Sequence, residues 1–264
     1  MFKLVASVAL AAVVFGTGCT TSPTGRKQLN LVSDQQMTAM GLSAYADMKQ
    51  QIPISTDRRK TAYVKCIGRA ITSQLDSNEQ WEVTLFDDDQ INAFALPGGK
   101  IGVYTGLLKV AETPDQLAAV MGHEVAHVLA DHGKARLSAN MAGQAGMIVG
   151  QIVLGSRLKG RDRNAMAALG LGLQVGVLMP YGRGQESEAD ILGLDLSAKA
   201  GFDPRASTQL WRNMAAASGS TPPEFLSTHP AATTRIKQLE SQMNKAFTTY
   251  QNARASGISP GCRV

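Results

Sequence analysis

The 264-residue sequence contains few aromatic residues, few cysteines and few histidines. Phe, Trp and Tyr make up 5% of it, and it has three cysteines and four histidines. Since no two cysteines form a C-x-x-C pair, a zinc site built from cysteine thiolates is disfavoured. The net charge is +5, but the basic residues are spread out and no aromatic residues interleave with the densest group, at 157–163. We therefore expect no nucleic-acid partner.

Long hydrophobic runs are also missing from the N-terminus. The apolar run at 4–15 follows a basic start and is too short for a comfortable membrane span, so it is typical of a secretory signal. Small residues before Cys19 resemble a bacterial lipobox. We expect a signal peptide at 1–18 and a lipid on Cys19, with a tether at 19–32. Thr20, in place of Asp, favours the outer membrane over the inner one. The alternative is an ordinary cleaved signal.

The other two cysteines depend on this export. If Cys19 carries lipid, Cys66 and Cys262 remain in an oxidising compartment, where they can pair in a disulfide.

The strongest motif is H-E-x-x-H at 123–127. Thr113 and Pro114 predict a helix start upstream, so His123 and His127 lie one turn apart on one face of a helix. Two imidazoles at this spacing can bind one Zn²⁺, and Glu124 can act as the general base of a metalloprotease. The competing interpretation is a pair of core histidines, which would leave the Glu124 carboxylate buried without a partner.

A catalytic zinc needs a third protein ligand. His132 does not fit the extended H-E-x-x-H-x-x-G-x-x-H pattern, so we expect it to be structural or to support a ligand. The remaining candidates are three acids on a later helix: Glu186, Glu188 and Asp190. Because Glu186 and Asp190 are four residues apart and share a face, one can bind metal while the other orients a ligand histidine. Glu188 points elsewhere and is expected to be solvated.

Periodicity predicts helices around 33–51, 57–75, 113–131, 186–200, 204–217 and 232–250, with strands at 81–86, 91–96 and 100–104. The sheet leads directly into the H-E-x-x-H helix, which should stop near His132 and Gly133. Two apolar stretches, at 141–154 and 165–179, predict packed helices, either a flap beside the cleft or a hairpin that touches the membrane. The acidic run at 87–89 lacks EF-hand spacing and indicates a solvated loop.

Three motifs in order, H-E-x-x-H at 123–127, E-x-x-A-D at 186–190 and His-Pro at 229–230 followed by Arg235, resemble the zinc metallopeptidase family of HtpX, BepA, LoiP and the CAAX prenyl proteases. The likeness covers roughly 30–245 and is greatest to the soluble lipoprotein members. It implies a mostly helical, zincin-like α+β domain at 33–250 with a small sheet beside the motif helix and a tail at 251–264.

The same resemblance implies roles for individual residues. The ligands of one Zn²⁺ per chain would be His123, His127 and Glu186, with Glu124 as the catalytic base. Asp190 would orient one of the ligands without binding the metal itself. His229 would approach the cleft and stabilise the oxyanion, and Arg235 would anchor the loop that contains His229.

The sequence thus predicts a periplasmic zinc endopeptidase, lipid-anchored to the outer membrane, that degrades misfolded or unassembled envelope proteins. The alternative is a lipid-anchored chaperone or assembly factor whose metal site gates a binding cleft. A structural zinc protein is disfavoured because a closed four-ligand site has no need of Glu124.

Overall fold

The computed structural model describes residues 18–77, 79–153, 181–217, 223–229 and 232–264. The predicted secretory signal lies almost wholly in 1–17, outside the described residues, and so does the second apolar stretch at 165–179. The first apolar stretch belongs to a helix that is described as far as Val153.

The N-terminal segment forms a small hairpin against the rest of the domain. Strand β1 (Cys19–Thr21) pairs antiparallel with β2 (Lys27–Leu29). The Gln28 side chain donates a hydrogen bond to the carbonyl of Ala130 (2.9 Å), and the Leu31 amide donates to Ser138 Oγ (2.8 Å). These contacts differ from the tether predicted for 19–32, because the polar side chains of this segment find buried partners far along the chain.

Two helices follow, each begun by a side-chain cap. Helix α1 (Asp34–Gln51) starts at Ser33, whose hydroxyl accepts a hydrogen bond from the Gln36 amide in a capping box. Helix α2 (Arg58–Thr72) starts at Asp57, which accepts from two backbone amides. Its predicted apolar face is buried in the core, as the exposures of Val64, Ile67 and Ile71 show.

The sheet has three strands in the order β3-β5-β4: β3 (Glu82–Phe86), β4 (Ala93–Leu96) and β5 (Lys100–Tyr104). β4 and β5 form an antiparallel hairpin, whereas β3 pairs parallel to β5. The turn between β4 and β5 needs positive φ at Gly98 (89°) and Gly99 (68°), which glycine adopts without a steric cost. Among the described residues β4 pairs only with β5, so it is an edge strand of this sheet.

A 3₁₀ helix (Thr105–Lys109) connects the sheet to the motif helix α3 (Pro114–Leu129). The remaining helices of the described residues are α4 (His132–Val153), α5 (Arg183–Lys199), α6 (Ala206–Ala216), α7 (Glu224–Thr228) and α8 (Ala232–Ala255). The stop predicted at His132 and Gly133 is wrong by a few residues. The chain turns at Asp131, with φ of 55°, and His132 begins α4. Within the described residues no helix combines the length and the apolar character that crossing a membrane requires.

Helix α3 lies in the centre of the domain and packs against α5 at a glycine pair. A Cβ atom at Gly193 would lie 2.7 Å from the His123 backbone nitrogen, and one at Gly122 would lie 2.8 Å from the Gly193 carbonyl. The two backbones can approach this closely because neither residue has a side chain. A disulfide joins Cys66 on α2 to Cys262 in the C-terminal tail. The whole is the mostly helical α+β architecture that the sequence predicted.

Candidate metal centre

Helix α3 brings His123, Glu124 and His127 to one buried site. All three are at most 4% exposed. The Nε2 atoms of His123 and His127 lie 3.0 Å apart, with the rings nearly perpendicular. The i, i+4 spacing thus points both imidazole edges at a single position, as the motif predicted.

Helix α5 supplies the carboxylate. Glu186 places one oxygen 3.5 Å from His127 Nε2 and the other 3.5 Å from His123 Nε2. Burial alone would raise the pKa of Glu186, but hydrogen bonds with His123 and His229 hold it well below its usual range. Glu186 is therefore an anion pointed at the same position as the two imidazoles.

A fourth donor comes from the residue after α7. His229 Nδ1 lies 3.2 Å from His123 Nε2 and 2.9 Å from a Glu186 oxygen. One ligand atom from each of the four residues lies within 4.8 Å of the others. Three imidazole nitrogens and one carboxylate oxygen are a donor set that suits Zn²⁺, so the residues fit this metal. Because a catalytic zinc keeps one position open, His229 stands where either a fourth ligand or a donor to the substrate would stand.

Glu124 lies beside this cluster without being part of it. Its Oε1 atom has no hydrogen bond within the described part of the chain, and its nearest cation-forming neighbour is His229 Nε2, at 3.4 Å. Burial raises the pKa of Glu124, while charge on His229 and His123 opposes the rise. A carboxylate with a raised pKa and no fixed partner is suited to accepting and returning a proton.

Asp190 and Arg235 lie behind His123. An Asp190 oxygen is 3.2 Å from His123 Nδ1, so this carboxylate can orient the imidazole, as expected from the Glu186–Asp190 spacing. Arg235 donates two hydrogen bonds to Asp190, at 2.7 and 2.6 Å, and lies 2.8 Å from Glu186. Its guanidinium carbon also lies 3.8 Å from the ring centroid of Trp211. The sequence did not predict this contact, because the helical spacing of Trp211 indicates only a core residue.

The expectation of a solvated Glu188 is wrong. Glu188 is 3% exposed and accepts hydrogen bonds from Thr24 and from Arg26 Nε (2.9 Å). Its other neighbour is His132 Nε2, at 3.2 Å, and His132 Nδ1 is 2.8 Å from His127 Nδ1. The predicted direction of Glu188 is right, since it points away from Glu186. Glu188 is nevertheless buried, because the N-terminal hairpin and the start of α4 cover that side of α5.

The site opens into a cleft with a cavity volume of about 270 Å³. Strand β4 and helix α1 line it together with Glu124, His127 and His229. Met37 and Leu137 are among its apolar side chains. Sequence reasoning gave Tyr181 no role, yet its ring stacks on His127 with a centroid distance of 3.9 Å. Burial raises the pKa of Tyr181 to about 12, so the phenol is neutral at the wall of the cleft.

Comparison with known proteins agrees with this geometry. Residues 58–243 match peptidase family M48. The mitochondrial metalloendopeptidase OMA1 of Schizosaccharomyces pombe is 33% identical over 84% of this chain, and the human one is 31% identical over 98%. The beta-barrel assembly-enhancing protease of Yersinia pestis is 29% identical over 80% of the chain. The chain spans 65%, 52% and 44% of the lengths of these three relatives, respectively.

The matched region contains the three predicted ligands on α3 and α5, the Glu124 carboxylate and the Asp190–Arg235 pair. The family match covers well over half of the chain and coincides with a donor set suited to zinc. The chain therefore belongs to peptidase family M48, a family of zinc-dependent metallopeptidases.

Proposed function

We propose that this chain is a zinc-dependent endopeptidase of the bacterial cell envelope that degrades misfolded or unassembled envelope proteins. The observation that carries the proposal is the position of Glu124. Its carboxylate lies beside the convergent donors of His123, His127 and Glu186, at the wall of a cleft that also contains edge strand β4.

The chemistry follows from the residues at this wall. When bound, zinc supplies Lewis-acid polarisation of the scissile carbonyl. Glu124 takes the proton of the attacking water and passes it to the leaving amine, a role suited to its raised pKa. His229 lines the same cleft, with its Nε2 atom 3.4 Å from Glu124, and can donate a hydrogen bond to the oxyanion that develops there. One such donor typically lowers the barrier by about 3–4 kcal/mol.

The cleft favours extended polypeptides as substrates. β4 is an edge strand, so a peptide can pair with it through main-chain hydrogen bonds that tolerate many sequences. Apolar side chains from α1, Met37 and Met48 among them, line the same cleft. Misfolded proteins offer both extended backbone and exposed apolar side chains, which makes them the substrate class that fits this cleft.

The location is inferred from the cysteines. The Cys66–Cys262 disulfide suits an oxidising compartment such as the periplasm. Cys19 is exposed at the start of β1. We therefore infer a lipid anchor at Cys19 in the outer membrane. Mass spectrometry of the N-terminal peptide should find diacylglycerol on Cys19, and Cys19→Ser should abolish it. An unlipidated mature chain that starts at another residue would exclude the anchor.

A second candidate function is that of an assembly factor or chaperone with a metal-gated cleft. One observation favours it: the Yersinia pestis relative is named for enhancing β-barrel assembly as well as for its protease activity. In this alternative the cleft would bind unfolded chains without cleaving them.

The test is cleavage of unfolded casein by the wild type and by Glu124→Gln, with the zinc content of both measured. Glu124→Gln should keep its zinc and lose turnover, because an amide cannot accept the proton. Glu112→Gln is the matched control, since it makes the same change at an exposed position just before α3. Undiminished cleavage by Glu124→Gln would exclude the mechanism, and zinc-loaded wild type that binds casein without cutting it would favour the assembly factor.

A further inference from the structure

A chain of buried hydrogen bonds runs from the metal centre to the N-terminal hairpin. It starts at His127, continues through His132 and ends at Glu188, and these residues are 2%, 0% and 3% exposed. The ring nitrogens His127 Nδ1 and His132 Nδ1 are 2.8 Å apart, and His132 Nε2 is 3.2 Å from a Glu188 oxygen. Neither His132 nor Glu188 faces the cleft.

The direction of these hydrogen bonds is determined by metal binding. His127 turns its Nε2 atom toward the other donors, so that nitrogen must be unprotonated and the proton must lie on Nδ1. The Nδ1–H then donates to His132 Nδ1, which leaves the proton of His132 on Nε2. That proton is donated to Glu188, which is a carboxylate. Glu188 thereby selects the tautomer of His132, and His132 selects the tautomer of His127.

The N-terminal hairpin completes this arrangement. A Glu188 carboxylate buried without donors would be costly. The loop between β1 and β2 supplies them: the amide and hydroxyl of Thr24, at 3.2 and 2.7 Å, and Nε of Arg26, at 2.9 Å. The hairpin contributes the only cationic side chain paired with Glu188 among the ion pairs of the described residues.

The backbone around His132 is held by the same two neighbours. The Gln28 amide on β2 donates to the Ala130 carbonyl (2.9 Å), and the Gln185 amide on α5 donates to the His132 carbonyl (3.2 Å). His132 is therefore held between the hairpin and α5 by its backbone as well as its ring.

We propose that His132 and Glu188 are positioning residues that hold His127 in its metal-binding tautomer and orientation, and that the N-terminal hairpin sets the affinity for zinc through Arg26. This proposal rests on the zinc site of the proposed function. It gives α5 two tasks, because Glu186 on one side of the helix binds the metal and Glu188 on the other side supports a second ligand.

The test measures the zinc dissociation constant of the purified full chain at pH 7 by competition with a chromogenic chelator, without any substrate. His132→Leu removes the acceptor for His127 and should weaken zinc binding by about 10–100-fold, the range typical of residues that support a ligand. His132→Asn should recover most of the affinity, because its side-chain oxygen can stand close to the position of Nδ1. Glu188→Gln, which keeps the volume but not the charge, should also weaken binding about tenfold.

The contribution of the hairpin is tested by a matched pair. Arg26→Ala and Lys27→Ala each remove one cation from adjacent positions, but Lys27 is exposed and contacts Thr21 instead of Glu188. Arg26→Ala should weaken zinc binding about 3–10-fold, less than His132→Leu because it acts one contact further from the metal. Lys27→Ala should bind zinc like the wild type.

Thermal midpoints of the metal-free variants separate positioning from folding. The proposal would be overturned if folded His132→Leu or Glu188→Gln bound zinc with the affinity of the wild type. It would also be overturned if His132→Leu and His132→Asn lost zinc affinity to the same extent and had equally lowered thermal midpoints. Equal affinities of Arg26→Ala and Lys27→Ala would overturn the role of the hairpin. Because no cleavage is measured, these outcomes stand even if the endopeptidase test fails.

Discussion

Replacing Arg235 with Met should destabilise the metal-free protein far more than the same change at a surface arginine. Arg235 is 3% exposed and is the cation that two buried carboxylates share, those of Asp190 and Glu186. Arg235→Met keeps much of the side-chain volume over Trp211 but removes the charge. Asp190 would then lose two short hydrogen bonds while remaining buried.

The expected magnitude follows from this environment. Removing one partner of a buried ion pair costs about 3–5 kcal/mol. His123 offsets part of that cost. Although burial and Arg235 lower its pKa, hydrogen bonds with Asp190 and Glu186 raise it to about 9, so the imidazole is cationic at pH 7 in the metal-free state. We therefore expect the lower end, about 3 kcal/mol, which lowers the thermal midpoint by about 6–12 °C in a domain of this size.

Urea unfolding of the metal-free protein at pH 7, with the disulfide intact, measures this free energy. Arg212→Met is the matched control, because Arg212 pairs with Glu240 at 3.6 Å and both side chains are more than half exposed. That exposed pair should contribute at most about 1 kcal/mol. If Arg235→Met costs no more than Arg212→Met, the carboxylates do not depend on Arg235 for their charge and the account of this cluster is wrong.

Two further changes probe the packing and the core. Gly193→Ala should cost about 1–3 kcal/mol and lower zinc affinity, because its Cβ would push α5, and Glu186 with it, away from α3. Gly143→Ala in α4, where a Cβ meets no atom within 4 Å, should instead stabilise the protein by about 0.5–1 kcal/mol. If urea unfolding gives the two variants the same change in free energy, the close contact of α5 with α3 at Gly193 is refuted. Burial raises the pKa of Tyr45 to about 12, above the value of about 10 for an unfolded tyrosine, so its contribution to stability is complete below pH 10 and is lost between pH 10 and 12. Tyr45→Phe should lower stability at pH 7 by about 1 kcal/mol, because the hydrogen bond with Thr84 is lost. The same change should reduce the loss of stability between pH 10 and 12, measured by circular dichroism, and an unchanged loss would contradict this reasoning.

Much of the local structure could be predicted because its causes are local. The caps at Ser33, Asp57 and Thr113 satisfy backbone amides two or three residues away, so sequence alone places the starts of α1, α2 and α3. The turn at Gly98 and Gly99 is equally local and identifies the β4–β5 hairpin. The parallel pairing of β3 with β5 was not predicted, because their partners are chosen by packing across the whole domain.

The end of α3 shows where local signals fail. His132 and Gly133 resemble a helix stop, but the chain turns earlier, at Asp131. His132 instead begins helix α4, and its ring lies 3.2 Å from Glu188. The backbone there is fixed by Gln28 from the N-terminal hairpin, a contact between residues about 100 positions apart. No nearby residue carries that information.

The sequence by itself determined the chemistry of the centre. Helical periodicity places His123 beside His127 and Glu186 on the same face as Asp190, and these relations depend only on the pitch of a helix. The tertiary structure decided how the two helices meet, and so which acid reaches the metal position and which one is buried elsewhere. Glu188 has the same chemistry as Glu186, yet it supports His132 and pairs with Arg26, because the identity of its neighbours is set by contacts between distant segments of the chain.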